Sequence, residues 1–241
     1  MKADEFAKMR ALENSHWWFR GRRYLLQGLV RKLGLHNASI LDAGCGTGFA
    51  GRELSEAGKV VSLDSTEAAL GPDFRGTACI ASIEETPFPD QMFDLIVAMD
   101  LLEHLADDQP ALKEMHRICK PGGYLFVTVP AFPSLFSSHD KALGHFRRYS
   151  ASGLGESVSA GGFVVQKLSY TVTSIFPLAA AYRMLRRKTD STATDLFPVP
   201  EPFNCALSLL MRLEAWLGWQ IRLPFGLTAF ALATKPRPES A

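Results

Sequence analysis

The stretch from Ile40 to Gly48, ILDAGCGTG, constrains this chain more than any other. It reads as an apolar strand that ends on Asp42 and runs straight into a three-glycine turn opening a helix. Such a turn sets backbone N–H groups and a helix N-terminus against a small ligand. Gly44, Gly46 and Gly48 let the main chain turn sharply and approach that ligand without Cβ clashes. The spacing is G-x-G-x-G, and Phe49 stands where a dinucleotide fingerprint needs a small residue for close helix packing. A carboxylate at Asp42 repels a pyrophosphate and suits a ligand bearing an ammonium. Further on, at the end of the apolar run Val60 to Leu63, Asp64 is placed to accept the hydroxyl hydrogens of a ribose. The alternative is that both acids merely end strands as turn formers.

S-adenosylmethionine carries that ammonium and ribose and has no phosphate. At these residues the chain resembles the class I S-adenosylmethionine-dependent methyltransferases, from about Ile40 to Tyr170. The resemblance implies an α/β fold: a doubly wound, mostly parallel seven-stranded sheet, Rossmann-like, with a helical insertion before the last strand. It also implies S-adenosyl-L-methionine as cofactor. Asp42, Gly44, Cys45, Gly46 and Gly48 inherit its methionine portion, and Asp64 with Ser65 the ribose. ASIEETPFPDQMFDLIVAMDLLEHL, Ala81 to Leu105, looks like the family's third and fourth motifs, with Ser82 and Ile83 at the adenine and Met99 where the strand meets the site. Ser82 stands where the family often has an acid bonded to the adenine amino group, so that contact falls to its hydroxyl, to a backbone carbonyl, or to nothing. ICKPGGYLFVTVP, Ile118 to Pro130, looks like the family's helix, turn and fifth strand, with Pro121, Gly122 and Gly123 as the turn.

A chain of 241 residues holds one α/β domain with a full core. Its 26 basic and 25 acidic residues leave a net charge of +1, which gives no global attraction to nucleic acid. Cys45, Cys79, Cys119 and Cys205 form no C-x-x-C pair, so neither a zinc framework nor a disulfide framework is expected, and a reducing cytoplasm is the default. Asp4, Glu5 and Glu13 stand where a signal peptide needs an apolar run. Strand signals at Ser39–Ala43, Val60–Leu63, Thr77–Ala81, Phe93–Ala98 and Tyr124–Val129 alternate with helical stretches, predicting βαβα order throughout. Asp107–Cys119 reads as a one-faced crossover helix. Ser152–Ala160 leads into a strand at Phe163–Tyr170, and Leu227–Thr234 supplies the last strand. The expected organisation is an N-terminal helical cap at 1–38, a cofactor-binding core at 39–171, a helical insertion at 172–225, and a last strand with a frayed polar tail at 226–241, all one domain.

The insertion holds two apolar stretches, Val172–Ala181 and Phe203–Ile221, and a basic cluster of Arg183, Arg186, Arg187 and Lys188. Neither stretch is suited to crossing a bilayer. Two amphipathic helices are expected, serving as a lid, as a dimer contact in a monomer-or-homodimer protein, or as a peripheral seat on anionic lipid at the inner membrane face. Before the first strand lies HWWFRGRR, His16 to Arg23. An arginine there, Arg23, could pair with the methionine carboxylate while an aromatic face lies near the sulfonium. The plainer reading has Trp17 and Trp18 anchoring a helix and the arginines solvated. This segment resembles a subgroup of bacterial methyltransferases associated with lipids or saccharides.

Methyl transfer from a sulfonium asks chiefly for in-line placement, because the leaving group is already activated. An oxygen nucleophile gains from a base, and His139, Asp140 and His145 follow the fifth strand, where ligands of such sheets bind. Arg147 and Arg148 could clamp an acidic acceptor there, the alternative being a structural polar cluster. Asp100, Glu103 and His104 resemble the divalent-metal site of some methyltransferases, although comparable residues more often line the cofactor pocket, and the reading adopted assigns no metal. The expected activity is methyl transfer to a small-molecule or lipid- or saccharide-linked acceptor, at oxygen, with no nucleic-acid partner. The alternatives are a non-catalytic cofactor-binding or membrane-surface protein and, disfavoured by Phe49 and Asp42, an NAD-dependent oxidoreductase.

Overall fold

The computed structural model describes residues 3–71, 74–185 and 199–238, with backbone only at 3–5 and 183–185. Its elements run α1 (Ala3–Leu12), α2 (Trp17–Leu33), β1 (Ala38–Ala43), α3 (Phe49–Leu54), β2 (Gly58–Asp64), β3 (Thr77–Ile80), β4 (Phe93–Met99), α4 (Gln109–Ile118), β5 (Cys119–Pro130), α5 (Ser138–Ala142), α6 (Ala151–Ala160), β6 (Val164–Thr171), α7 (Phe176–Leu185), α8 (Glu201–Gln220) and β7 (Thr228–Thr234). The strands form one seven-stranded sheet in the order β3-β2-β1-β4-β5-β7-β6. All pairings are parallel except those of β7, which runs antiparallel to β5 and β6.

The central strands are apolar on both faces because both faces are covered. Ile40, Leu95, Val97, Phe126 and Phe230 pack under α2, α3 and α8. Leu41, Ile96, Ala98, Leu125 and Val127 pack under α4 and α6. Helix α4 presents Ala111, Leu112, Met115 and Ile118 as a single buried stripe, as its spacing predicts.

Two expectations need correcting. The βαβα alternation fails between β2 and β4: one short 3₁₀ turn, Glu67–Ala69, lies between β2 and β3, and no helix joins β3 to β4. Pro87 and Pro89 in that second connection each fix φ and remove an N–H, which a helix cannot accommodate. The Pro121-Gly122-Gly123 segment is also no turn ahead of a strand. Strand β5 already pairs Cys119 with Phe93, then resumes at Tyr124 opposite Leu95, so the segment bulges within the strand, with Gly122 at φ 79°.

The second helix of the insertion is built into the cover of the sheet. Helix α8 lies along α2, where Gly21 and Gly28 admit Met211 and Trp219. The Trp219 indole donates to the Leu25 carbonyl at 3.1 Å and packs against Phe126 and Phe230 at 5.8 and 5.3 Å. Asn204 ties the start of α8 to the start of α2, accepting the Trp17 N–H at 2.7 Å and donating to the Ser15 carbonyl at 2.9 Å. Among the described residues no helix is long and apolar enough to cross a membrane.

Candidate functional site

Strands β1 and β4 are neighbours, with Ala43 opposite Ala98, so the glycine turn and the Met99–Asp100 segment leave the sheet side by side. Gly44, Gly46 and Gly48 all take positive φ, at 67°, 51° and 75°. A Cβ at Gly44 would lie 2.7 Å from Leu101 Cδ1, so the turn demands glycine there for space as well as conformation. Asp42 is buried, and its Oδ2 accepts the Gly51 N–H of α3 at 2.8 Å. Burial pushes its pKa up to about 7, helped by the Asp64 charge and opposed by the Gly51 N–H. Asp64 accepts the Gly46 N–H through Oδ2 and the Thr66 N–H through Oδ1, both at 3.0 Å. The two acids thus hold the turn from both sides.

The other expected cofactor contacts cluster around this turn. Cys45 donates its N–H to the Leu63 carbonyl at 2.9 Å, and burial pushes its thiol well above the ordinary range. Ser65 is exposed beside Asp64. The Ser82 hydroxyl accepts the Glu84 N–H at 3.1 Å, next to buried Ile83. This donor set fits an aminoacyl nucleoside: a desolvated acid for an ammonium at one end, and a rigidly held carboxylate with unused lone pairs for ribose hydroxyls at the other.

Helix α1, within the segment expected to form an N-terminal helical cap, closes over the turn. Glu13 is buried, accepts the Thr47 hydroxyl at 2.6 Å and pairs with Arg52. Phe6 lies 3.8 Å from where a Gly46 Cβ would sit, and Arg10 donates to the Ala69 carbonyl at 3.2 Å.

Of the HWWFRGRR arginines, Arg23 turns to Glu53 at 2.7 Å and stacks over Phe49 at 5.9 Å. Arg20 reaches Ser208 at 3.5 Å. It is Arg22 that enters a pocket, together with Trp18, Gly21 and Leu25 of α2, Met99 of β4, Thr128 of β5, Thr171 of β6, Met211 of α8 and Thr228 of β7. Arg22 pairs with Asp100, lies 3.4 Å from the Thr128 hydroxyl and stands 5.5 Å from the Trp18 ring. Burial lowers its pKa to about 10, against the raising effect of Glu103. Asp100 sits at φ 53°, a conformation costly for a residue with a Cβ, and accepts from the Thr128 hydroxyl at 3.3 Å. The Trp18–Arg22 spacing of one helical turn was the available signal for this pair.

The loop after β5 brings Asp140 and His145 together. Asp140 is fully buried on α5 and accepts from the Ser137 N–H at 2.9 Å, from Arg148 Nε at 2.8 Å and at 3.1 Å from His145 Nδ1. His145 and Arg148 hold its carboxyl far below the ordinary range against the cost of burial. His139 is half-buried on the same short helix. The arginines do not form a clamp: Arg148 is buried on Asp140 and the Ala131 carbonyl, and Arg147 is bonded to the carbonyls of Leu105 and Ala106. Nearby, Glu103 is fully buried, and burial raises its pKa to about 8. The rings of His104 and His145 meet edge to face at 4.6 Å, and burial lowers the His104 pKa to about 4.

A 3-2-1-4-5-7-6 sheet with a glycine turn between Asp42 of β1 and Asp64 of β2 is the fold of class I S-adenosylmethionine-dependent methyltransferases, which this chain resembles. Residues 41–127 match the family model described as a methyltransferase domain, and S-adenosylmethionine is the family's cofactor. The chain is 28% identical over 166 residues to a Mycolicibacterium smegmatis protein named "Probable S-adenosylmethionine-dependent methyltransferase", a match covering 64% of this chain and 62% of that one. It is 26% identical over 146 residues to the ubiquinone biosynthesis O-methyltransferase of Pseudomonas paraeruginosa, covering 52% of this chain and 61% of that one. The chain thus spans about six-tenths of the length of these relatives. Among solved structures, a chain of the complex between the Haloferax volcanii Trm112 methyltransferase activator and a methyltransferase superposes with a TM-score of 0.63 at 19% identity, covering 99% of this chain and 97% of that one.

Proposed function

We propose that the protein transfers the methyl group of S-adenosylmethionine to an oxygen of a small-molecule or lipid- or saccharide-linked acceptor whose reacting hydroxyl enters the Arg22 pocket, a space of about 20 Å³ that admits one polar group. One observation carries this reading: Met99 lines that pocket and leaves the sheet beside the glycine turn. In it, Asp42, Gly44, Cys45, Gly46 and Gly48 take the aminoacyl end of the cofactor, Asp64 and Ser65 the ribose, and Ser82 and Ile83 the adenine. The cofactor supplies a methyl group on a sulfonium that needs no further activation. Arg22 and the hydroxyls of Thr128, Thr171 and Thr228 orient a polar acceptor, and Asp100 accepts its proton. The ubiquinone biosynthesis O-methyltransferase among the relatives supports oxygen as the acceptor atom. Asp140 and His145 position the loop after β5, and comparing turnover in His139→Ala and His145→Ala decides whether either histidine moves a proton. Incubation with methyl-labelled donor and lipid or saccharide extracts tests the whole: label enters an extractable acceptor in wild type and not in Asp42→Ala. A protein that binds the cofactor and labels nothing is a binder, and the proposal fails.

A lipid-linked acceptor is favoured by the outer side of the insertion, where Leu178, Phe203 and Trp216 are 75%, 68% and 58% exposed, alongside Leu209 and Leu213. Exposed Arg212 and Arg222 flank this surface and suit an anionic membrane. Of the basic cluster expected to assist, Arg186, Arg187 and Lys188 lie outside the described residues, as does the side chain of Arg183. Co-sedimentation with anionic vesicles at low salt, lost when Leu209, Leu213 and Trp216 are made Ser, supports a peripheral seat. Retention in the supernatant leaves a dimer contact or a bare surface.

A further inference from the structure

We propose that Glu103, His104 and His145 form a binding site for a divalent transition-metal ion, zinc foremost. Each offers one ligand atom, and the three atoms lie within 4.8 Å of one another. A tetrahedral ion with bonds of about 2.0–2.1 Å sets its ligands roughly 3.3 Å apart, so the side chains close on the ion by at most about 1.5 Å.

The second observation is independent of that spacing. Glu103 is 0% exposed, and neither of its carboxylate oxygens has a hydrogen-bond partner. A buried carboxylate with unmet acceptors is costly and is ordinarily paired or bound to a metal. The Asp100 carboxylate is bonded to Arg22 and Thr128, so of the three residues whose resemblance to a metal site the sequence reading set aside, Asp100 is engaged elsewhere, and His145 joins Glu103 and His104 instead.

The surroundings are those of ligands already aimed. His145 Nδ1 lies 3.1 Å from Asp140 Oδ1, and Asp140 is fixed in turn by Arg148 and Ser137, which leaves Nε2 to present its lone pair. A carboxylate on the far nitrogen orients a metal-binding imidazole and raises its basicity. The loop is clamped to the turn after β4 from three points: the Phe146 N–H donates to the Glu103 carbonyl at 2.7 Å, Arg147 to the Leu105 carbonyl at 3.2 Å, and the Tyr149 hydroxyl to Asp108 at 2.8 Å. Two imidazoles and one carboxylate select zinc and its neighbours over magnesium or calcium, which take oxygen ligands. Three protein ligands leave a fourth position open.

The test needs no acceptor and no methyl donor. Protein stripped with a chelator and desalted is titrated with zinc ion against a chromogenic chelator, with thermal melts in parallel. Wild type is expected to take one ion per chain and to melt higher with it. The near-isosteric Glu103→Gln and the double variant His104→Ala/His145→Ala are each expected to weaken binding by at least a hundredfold and to lose the metal-dependent melting shift. Asp140→Asn is expected to weaken it about ten- to a hundredfold. Wild type that binds no ion overturns the proposal. So does binding that survives unchanged in Glu103→Gln, whose folding the melt without metal verifies, because the ion then sits elsewhere, as on a cysteine.

Discussion

Replacing Gly28 with alanine tests how α2 is seated on the sheet, and through α2 how Arg22 reaches the pocket. A Cβ at Gly28 would lie 2.3 Å from both Cδ1 and Nε1 of Trp219, a distance that no rotamer adjustment at alanine relieves. The indole must move, yet it is buried, packed on Phe126 and Phe230, and bonded to the Leu25 carbonyl at 3.1 Å. Overpacking costs about 1–3 kcal/mol. A buried indole N–H left unpaired costs about 1–3 kcal/mol more. Alanine's advantage over glycine inside a helix returns about 0.5–1 kcal/mol. The net is a loss of about 3 kcal/mol. Gly218 of α8 gives the contrast, because a Cβ there would stand 3.6 Å from Phe230 in ordinary contact. Gly218→Ala is therefore expected to be neutral or up to about 1 kcal/mol stabilising. Urea unfolding followed by tryptophan fluorescence measures both. Equal midpoints for the two variants, or a Gly28→Ala midpoint at or above wild type, would refute the packing argument.

Asp64→Ala removes the acceptor for the Gly46 and Thr66 N–H groups along with the ribose contact, so affinity for S-adenosylhomocysteine is expected to fall by at least a hundredfold; calorimetry showing wild-type affinity would remove Asp64 from the site. The Asp42 carboxyl has a folded pKa raised to about 7, above its unfolded value near 4, so the folded protein binds more protons and its stabilising effect is lost as pH rises from about 4 through 7. Binding of the cofactor ammonium favours the ionised form, so affinity is expected to strengthen between pH 6 and 8, a trend that Asp42→Asn abolishes; a flat wild-type profile contradicts the assignment. Glu13→Gln weakens the strap of α1 on Thr47 and Arg52, and faster cofactor association in stopped flow is the expected sign, with an unchanged rate showing that α1 does not limit access.

Much of the fold was legible because its signals are local. The buried runs of β1, β4 and β5 and the glycine turn are written in adjacent residues, and the final antiparallel pair came with the family resemblance. The helix-free connection from β3 to β4 was missed because a general alternation was extended over a segment whose Pro87 and Pro89 argue against it. At the site, Asp42 and Asp64 could be placed because each ends a strand of known order. Arg22, Asp100 and Glu13 could not, since their partners come from elements far apart in the chain: Arg22 meets Thr128 across 106 residues, and Glu13 meets Thr47 across 34. The sequence reading named Arg23 of this segment; one residue along a helix turns a side chain by about 100°, so Arg23 meets Glu53 while Arg22 enters the pocket.

One crossed measurement separates the proposed cofactor subsite from the proposed acceptor subsite. With an acceptor found by labelled transfer, Asp64→Ala and Arg22→Met are compared for S-adenosylhomocysteine affinity and for acceptor KM and kcat. Asp64→Ala is expected to weaken the cofactor with little change in acceptor KM, and Arg22→Met to raise acceptor KM or lower kcat by at least tenfold while cofactor affinity stays within about twofold of wild type. Arg22→Met with unchanged acceptor kinetics, or with cofactor affinity lost in step with Asp64→Ala, would contradict it.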